Sequence, residues 1–326
     1  MTLTLPQDFR VRHPTLEDVG IVVGLFTICQ QAEFGVAEIT EADALAIWQT
    51  PEVDVARDIW LIFSQDDQLV AYLQLGHEKP LRMQIIMKVH PDYDNLGLQA
   101  FLLERAEERA RTLIPDLRAD ARVTLQTSCS RSNQVYRQFI EQAGFVHVRS
   151  DWRMEIVMDE PPPAPVWPDG IALHPFTLDM ARAVYAADQE GFNDHWGFTP
   201  MDFETFEYWF ISTPGFDPTL WFLPFEGEQI AGAAFCECRE DIAWVNSLSV
   251  LRPWRRKGLG LALLHHAFGE FYRRGYHRAD LYVDSQNLTG ATRLYERAGM
   301  HIVRQFDKYE KELRPGIELS VQSLAD

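Results

Sequence analysis

Cysteine is scarce in this sequence of 326 residues, which contains four. So few cysteines cannot build a disulfide framework in a chain of this size. Two of them, Cys236 and Cys238, lie close together, but no second Cys or His pair accompanies them at metal-ligand spacing. We therefore predict thiols packed as small core residues, and no bound metal.

Long apolar runs and secretory signals are also missing. No run approaches the roughly 20 apolar residues that a helix needs to cross a bilayer. The first residues, Met1 to Pro6, have neither a basic n-region nor an apolar h-region. These features predict a cytoplasmic protein without a membrane partner, and none of them indicates an oligomeric state.

Positive charge is also scarce, since the sequence contains 30 Lys and Arg but 48 Asp and Glu, which gives a net charge of −18. A nucleic acid requires clustered basic side chains, so this balance argues against such a partner. It mildly favours a cationic substrate. One segment reverses the sign, with the basic residues Arg252, Arg255, Arg256 and Lys257. A local basic cluster on an acidic protein predicts an anionic ligand.

A proline-rich segment at 159–170 divides the sequence, because its prolines remove main-chain donors and favour extended conformations. The two flanking parts, 1–158 and 171–326, repeat each other. His13-Pro14 corresponds to His174-Pro175, and the same spacing relates Gly97-Leu98 to Gly258-Leu259. We therefore predict a linker at 159–170 between two copies of one domain.

Strands and helices alternate within each copy, which predicts an α/β fold with a mixed, twisted sheet flanked by helices. In the second copy the predicted strands are 219–225, 229–237, 243–250 and 280–284. The predicted helices there include 258–274 and 289–298, each ending at a glycine.

The basic cluster lies where a predicted strand enters a loop that opens into a helix. The pattern there is Arg255-x-x-Gly258-x-Gly260. Glycines allow close approach of the backbone, and the first amides of a helix are unpaired donors that favour a phosphate. The Walker pattern is absent, and Leu263 replaces the third glycine of the dinucleotide-binding pattern. The segment predicts a phosphate or pyrophosphate site of another kind.

This pattern resembles the acyl-coenzyme A motif [QR]-x-x-G-x-[GA] of the GCN5-related N-acetyltransferase (GNAT) family. Downstream, Asn287, Ala291, Leu294-Tyr295 and Gly299-Met300 resemble the second signature of that family. The duplicated arrangement is similar to tandem GNAT proteins of the mycothiol-synthase type. The resemblance implies two GNAT-type domains, with acetyl-coenzyme A as the acyl donor and no metal.

The resemblance also implies contacts for each part of acetyl-coenzyme A. The main chain of Leu248, Ser249 and Val250 would pair with the pantetheine arm, and Asn287 would hold its far side. The pyrophosphate would be bound by the amides of Arg255, Arg256, Lys257, Gly258, Leu259 and Gly260.

The chemistry implied is an acetyl transfer to an amine by direct attack in a ternary complex. Tyr295 stands at the position of the family's general acid. Trp244 replaces the glutamate that several relatives use as a base, and we take Glu237, at the end of the neighbouring strand, as the candidate base. The alternative is a non-catalytic protein that binds or senses acyl-coenzyme A.

The acceptor pocket is expected at the loop 190–198, where Asp194, His195 and Trp196 could contact the substrate. The acceptor is predicted to be a small-molecule amine, and the sequence leaves its identity open among small amines, amino acids, aminoglycosides and thiol-precursor amines, with protein lysine as a further possibility.

The first copy lacks the residues that carry this chemistry. Asp94 stands in place of Arg255 and Gln99 in place of Gly260, so the pyrophosphate would meet a carboxylate and a bulky side chain. Ile140 replaces Tyr295, and Ser132 replaces Asn287. We predict that residues 1–158 form a degenerate domain without cofactor and that 171–326 form the catalytic domain.

Overall fold

The computed structural model describes residues 4–50, 53–77, 79–213, 215–287 and 290–320. These residues form two compact units. The N-terminal unit contains 4–148 together with 306–319, and the C-terminal unit contains 149–305 together with 320. Each unit thus includes a segment from the other half of the sequence. Residues 158–170 adopt neither helix nor strand.

The N-terminal unit is a six-stranded mixed sheet with helices on both faces. Its strands, in spatial order, are β1 (Arg10–Arg12), β2 (Ile59–Phe63), β3 (Leu69–Gly76), β4 (Arg82–Val89), β5 (Val123–Ser130) and residues 306–314 of β13 (His301–Arg314). Among these described strands, the pair β4 and β5 is parallel and the other neighbouring pairs are antiparallel. Its helices are α1 (Val19–Phe34), α2 (Glu41–Trp48), α3 (Val55–Asp58), α4 (Leu98–Leu113) and α5 (Gln134–Gln142).

The C-terminal unit repeats this plan. Its strands, in spatial order, are residues 149–157 of β6 (Val146–Val157), then β12 (Arg278–Asp284), β11 (Ile242–Val250), β10 (Gly232–Arg239), β8 (Trp221–Glu226) and β7 (Ile171–Pro175). A short strand, β9 (Gln229–Ile230), adds to β8. Its helices are α6 (Ala181–Phe192), α7 (Phe203–Phe206), α8 (Leu259–Arg273) and α9 (Ala291–Arg297).

Each face of the C-terminal sheet has its own core. Helix α8 buries the stripe expected from its periodicity, since Leu259, Leu263, Ala267 and Phe271 are at most 1% exposed. Helices α6 and α7 cover the opposite face. Val184 and Phe206 of these helices pack there against Trp221 and Phe235 of the strands. The two covered faces confirm the predicted fold class, a mixed sheet flanked by helices.

The cysteines lie in these cores. Cys29, Cys129 and Cys236 are buried and Cys238 is half-buried. In the described part of the chain, no three His, Cys, Asp or Glu side chains gather as a metal-binding group. No helix within the described ranges is long and apolar enough to span a membrane.

Candidate active site

Strand β11 separates from β12 in the middle of the C-terminal sheet. It pairs with β10 from Ile242 to Val250, but its parallel ladder with β12 contains only Ala243 and Trp244. A β-bulge at Asn246 interrupts the ladder with β10 at this level. Among the described residues, the later part of β11 therefore has no strand on its β12 side. An extended ligand that contains amides can pair with such an edge.

The predicted pantetheine residues lie on this edge. Leu248 and Val250 pack toward the α8 core, whereas Ser249 points to the α6 face and is 3% exposed. The Ser249 hydroxyl is buried without a hydrogen-bond partner in the described structure. This side chain packs against Gly191 on α6, so Ser249 offers its main chain, and not its hydroxyl, at the edge.

The loop after β11, residues 256–260, contains successive main-chain amides that we call the anion-binding turn. Arg256 and Gly258 adopt left-handed backbone conformations, with φ of 62° and 89°, and α8 begins at Leu259. Among described residues, the amides from Arg256 to Gly260 have no main-chain acceptor. Successive amides in such a turn, at the positive end of a 15-residue helix, form an anion-binding concavity. The cationic side chains of Arg256 and Lys257 add to this field.

The two glycines of the motif serve different purposes. A side chain at Gly258 would meet open space, so this position requires glycine for its backbone conformation. A Cβ atom at Gly260 would lie 3.0 Å from Cδ2 of Leu294 on α9. Glycine at 260, which the sequence assigned to ligand approach, therefore also allows α8 to pack closely on α9.

The Arg255 side chain is bound within the protein. Its Nε donates to the carbonyl of Val250 at 2.8 Å, and its Nη2 donates to the carbonyl of Gly191 at 3.1 Å. Its Nη1 pairs with the carboxylate of Asp194, which also accepts from Arg252. The side chain of Arg255 thus ties the end of α6 to the loop after β11. Its backbone amide donates to the carbonyl of Arg252 at 3.3 Å, so the expected contact of this amide with the pyrophosphate is not supported.

Asp194 holds these two arginines. It is 3% exposed, and hydrogen bonds from Arg252 and then Arg255 lower the pKa of its carboxyl to about 2. The sequence proposed Asp194 as a contact to the acceptor. The structure instead gives both of its oxygens to arginines, so its position favours a role in fixing the loop 190–198 against the anion-binding turn.

The neighbours of Asp194 are also packed against the protein. The His195 ring lies 4.4 Å from the Phe192 ring, and burial, followed by the charge of Arg255, lowers the pKa of His195. The guanidinium of Arg149 lies 4.9 Å from the centre of the Trp196 ring. These contacts order the loop, and acceptor contacts by His195 and Trp196 stay predictions.

Tyr295 lies on α9 within the apolar core beneath α8. It is 8% exposed, and burial raises its pKa to about 12. No described residue forms a hydrogen bond with its hydroxyl. The phenol is therefore protonated throughout the physiological range, and its proton is not shared with any group in the described ranges.

Asn287 precedes α9. Its side-chain oxygen accepts a hydrogen bond from the amide of Ala291 at 3.3 Å, which fixes the start of the helix that carries Tyr295. Residues 288 and 289 lie outside the described residues. The contact of Asn287 with the pantetheine arm stays a prediction.

Glu237 lies directly across the β10–β11 ladder from Trp244. It is 7% exposed, its Oε1 pairs with Nε of Arg239 at 2.8 Å, and its Oε2 lies against Gly215. Trp244 stacks on Tyr282 with ring centres 5.7 Å apart. The indole therefore fills the position of the family's glutamate with a packing contact, while a carboxylate stands one strand away.

Sequence reasoning missed a second carboxylate on this face. Asp188 on α6 is 4% exposed and accepts a hydrogen bond of 2.9 Å from the hydroxyl of Ser247, next to the bulge in β11. Burial raises the pKa of Asp188 to about 6. The available signal was an aspartate on the buried side of α6, beside Val184, Ala187 and Gly191. A buried carboxyl beside a candidate site has the character of a functional group.

This chain resembles known proteins in both sequence and fold. The acetyltransferase (GNAT) family model matches residues 181–300, which include Asp188, the anion-binding turn and Tyr295. A solved GCN5-related N-acetyltransferase from Sphaerobacter thermophilus is 33% identical, covers 97% of this chain and 99% of its own, and superimposes with a TM-score of 0.84. The chain belongs to the GNAT family.

Other GNAT relatives extend over both units. A mycothiol acetyltransferase from Streptomyces scabiei is 27% identical over 78% of each chain. One from Catenulispora acidiphila is 24% identical over 89% of this chain and 94% of its own. A tandem GNAT protein from the clavulanic acid biosynthesis pathway shares the fold over 95% of this chain, with 14% identity and a TM-score of 0.71. This chain is a tandem GNAT protein and an acetyl-coenzyme A-dependent acetyltransferase.

Proposed function

We propose that the C-terminal unit transfers the acetyl group of acetyl-coenzyme A to the amine of a small molecule, by direct attack in a ternary complex. The free edge of β11, which ends at the turn formed by Arg256 and Gly258, carries this proposal. The edge of β11 is followed along the chain by the turn, and in coenzyme A the pantetheine amides are likewise followed by the pyrophosphate.

Each part of the donor has a place in this arrangement. The main chain of Leu248, Ser249 and Val250 pairs with the pantetheine arm, and Asn287 holds its other side. The pyrophosphate lies on the amides from Arg256 to Gly260, where Arg256 and Lys257 supply positive charge; the amide of Arg255, which the sequence had included, donates to the carbonyl of Arg252 at 3.3 Å.

The transfer needs two proton movements. The amine attacks the thioester carbonyl, a C–N bond forms, and a main-chain amide between Leu248 and Val250 stabilises the oxyanion. When the C–S bond breaks, the thiolate takes the proton of the Tyr295 hydroxyl. A phenol with a pKa of about 12 is a weak acid for a thiol of about 8.5 in water, but burial raises the pKa of the leaving thiol as well.

The amine proton passes to a carboxylate on the α6 side of the sheet. Glu237, the residue expected from the sequence, is held by Arg239, whereas Asp188 is linked through Ser247 to the bulge in β11. The pH dependence of kcat assigns the step. If Asp188 is the base, Asp188→Asn removes the acidic limb near pH 6 and Glu237→Gln keeps it; the reverse result assigns the role to Glu237.

The acceptor is a small-molecule amine. The curated relatives from Streptomyces scabiei and Catenulispora acidiphila are named mycothiol acetyltransferases. A mycothiol-related amine is therefore the first acceptor to test. The net charge of −18 favours a cationic form of the acceptor during encounter.

One experiment tests donor binding with a matched control. Gly258→Asp and Gly97→Asp each place an aspartate at a left-handed helix N-cap in open space, with φ of 89° and 81°. The backbone strain is therefore similar, at about 1–2 kcal/mol. Calorimetry should give one acetyl-coenzyme A per chain, lost in Gly258→Asp and kept in Gly97→Asp. Two equivalent sites, or unchanged binding in Gly258→Asp, would contradict the proposal.

A further inference from the structure

The N-terminal unit contains a cavity of about 440 Å³ that the proposed acetyl transfer does not use. It opens where β4 and β5 separate, because their parallel ladder ends at Gln84 and Gln126. Residues 87–89 of β4 and 128–130 of β5 line it, together with α1 and the start of α5. The volume lies in the range of small-molecule sites, about 300–1,000 Å³.

The cavity is not shaped for coenzyme A. The turn after β4 repeats the backbone of the anion-binding turn, with Asn95 and Gly97 at positive φ. Asp94 lies in this turn, and Nε2 of Gln99 donates to its carboxylate at 3.0 Å. A carboxylate and a side-chain amide thus fill the place of the pyrophosphate, where an anion would be repelled.

Two opposite charges line the cavity without pairing with each other. Glu33 on α1 and Lys88 on β4 are half-buried. Within the described residues, neither forms an ion pair or a hydrogen bond, and the Lys88 ammonium lies 6.0 Å from the Phe26 ring centre. A half-buried charge gains from a partner of opposite sign. One ligand with both charges would satisfy the two residues together.

The remaining lining suits a short molecule with polar and apolar parts. The hydroxyl of Ser128 is on an exposed position of β5, and Ser130 and Ser132 form a hydroxyl pair of 2.7 Å. Met87 and Cys129 supply soft apolar surface. If the ligand is a dipeptide, the diverging main chains of β4 and β5 can also pair with the amide between its two charged ends.

We propose that this cavity binds a zwitterionic α-amino acid or dipeptide, with its carboxylate on Lys88 and its ammonium on Glu33. The site belongs to the N-terminal unit and is independent of the proposed donor site. The acidic Asp94 selects against phosphorylated ligands.

Calorimetry on the full chain tests the proposal. The common L-α-amino acids and their glycyl dipeptides are titrated into Gly258→Asp, so that the donor site does not contribute. At least one should bind once per chain. Its N-acetyl and carboxamide analogues should each bind about tenfold more weakly or worse, since each loses one charged contact.

Lys88→Met and Glu33→Gln should weaken the same ligand to a similar degree. The exposed variant Glu17→Gln, in the same unit, should leave its binding unchanged. The proposal is overturned if no probe binds more tightly than about 10 mM. It is also overturned if both analogues bind as well as the parent, or if acetyl-coenzyme A displaces the ligand.

Discussion

The burial of the Asp188 carboxyl can be tested through the pH dependence of the free energy of unfolding. Its carboxyl is 4% exposed, and burial raises its pKa from 3.8 to about 6. The folded chain therefore binds this proton more tightly than the unfolded chain. By linkage, the free energy of unfolding falls as pH rises from about 4 to about 6, and the loss persists at higher pH. The two pKa values correspond to a loss of the order of 3 kcal/mol.

Asp188→Asn removes this loss, because asparagine stays neutral and can still accept the hydrogen bond from Ser247. We expect the variant to be more stable than the parent at about pH 7.5, by up to roughly 3 kcal/mol, and equal to it at about pH 4. Urea denaturation at both pH values measures the difference, with the exposed Asp169→Asn as control. A variant that is less stable at the higher pH, or shifted equally at both, would refute the argument. If Asp188 is also the general base, the kcat of Asp188→Asn is lower than that of the parent by about 10²–10⁴-fold.

Three further substitutions test the site. Tyr295→Phe should lower kcat by about ten- to ten-thousand-fold, with unchanged acetyl-coenzyme A affinity in calorimetry, and normal turnover would remove Tyr295 from the mechanism. Asp194→Asn releases Arg252 and Arg255, so the affinity for acetyl-coenzyme A should fall several-fold. The pKa of Asp194 is lowered in the folded chain, so the contribution of this carboxylate to the free energy of unfolding is present above about pH 4 and is lost as pH falls toward 2. Gly260→Ala should lower the free energy of unfolding by about 1–3 kcal/mol, because the added methyl group clashes with Leu294. In a double-mutant cycle, Leu294→Ala should recover part of this loss, and two losses that simply add would disprove the contact.

Local signals explain what the sequence predicted well. Helix α8 was expected at 258–274 and spans Leu259–Arg273, because an apolar stripe and terminal glycines mark both its face and its ends. The strand expected at 243–250 is Ile242–Val250. The motif residues follow from these elements, since the turn that contains Gly258 lies between them.

Contacts between residues far apart along the chain explain which features could not be predicted from the sequence. Asp188 becomes a buried carboxyl only because its side of α6 lies against Ser247, 59 residues away. Asp194 meets Arg252 and Arg255 for the same reason. The pairing of β5 with residues 306–314 joins segments far apart along the chain, and no local periodicity specifies which strands pair.

The duplicated turn shows which part of the motif carries chemistry. Four residues share left-handed backbone conformations in the two units, namely Asn95, Gly97, Arg256 and Gly258. Both turns lead a strand into a long helix, so this geometry is a requirement of the fold and would persist without any ligand. What differs is the residue before the turn and the residue in the first helical turn. The side chain of Arg255 is bound to the carbonyl of Val250 and Gly260 has no side chain, whereas the side chains of Asp94 and Gln99 bond to each other. The glycine of the turn is therefore explained by the fold, and the prediction that only the second turn binds an anion depends on these two flanking positions and on the cationic Arg256 and Lys257.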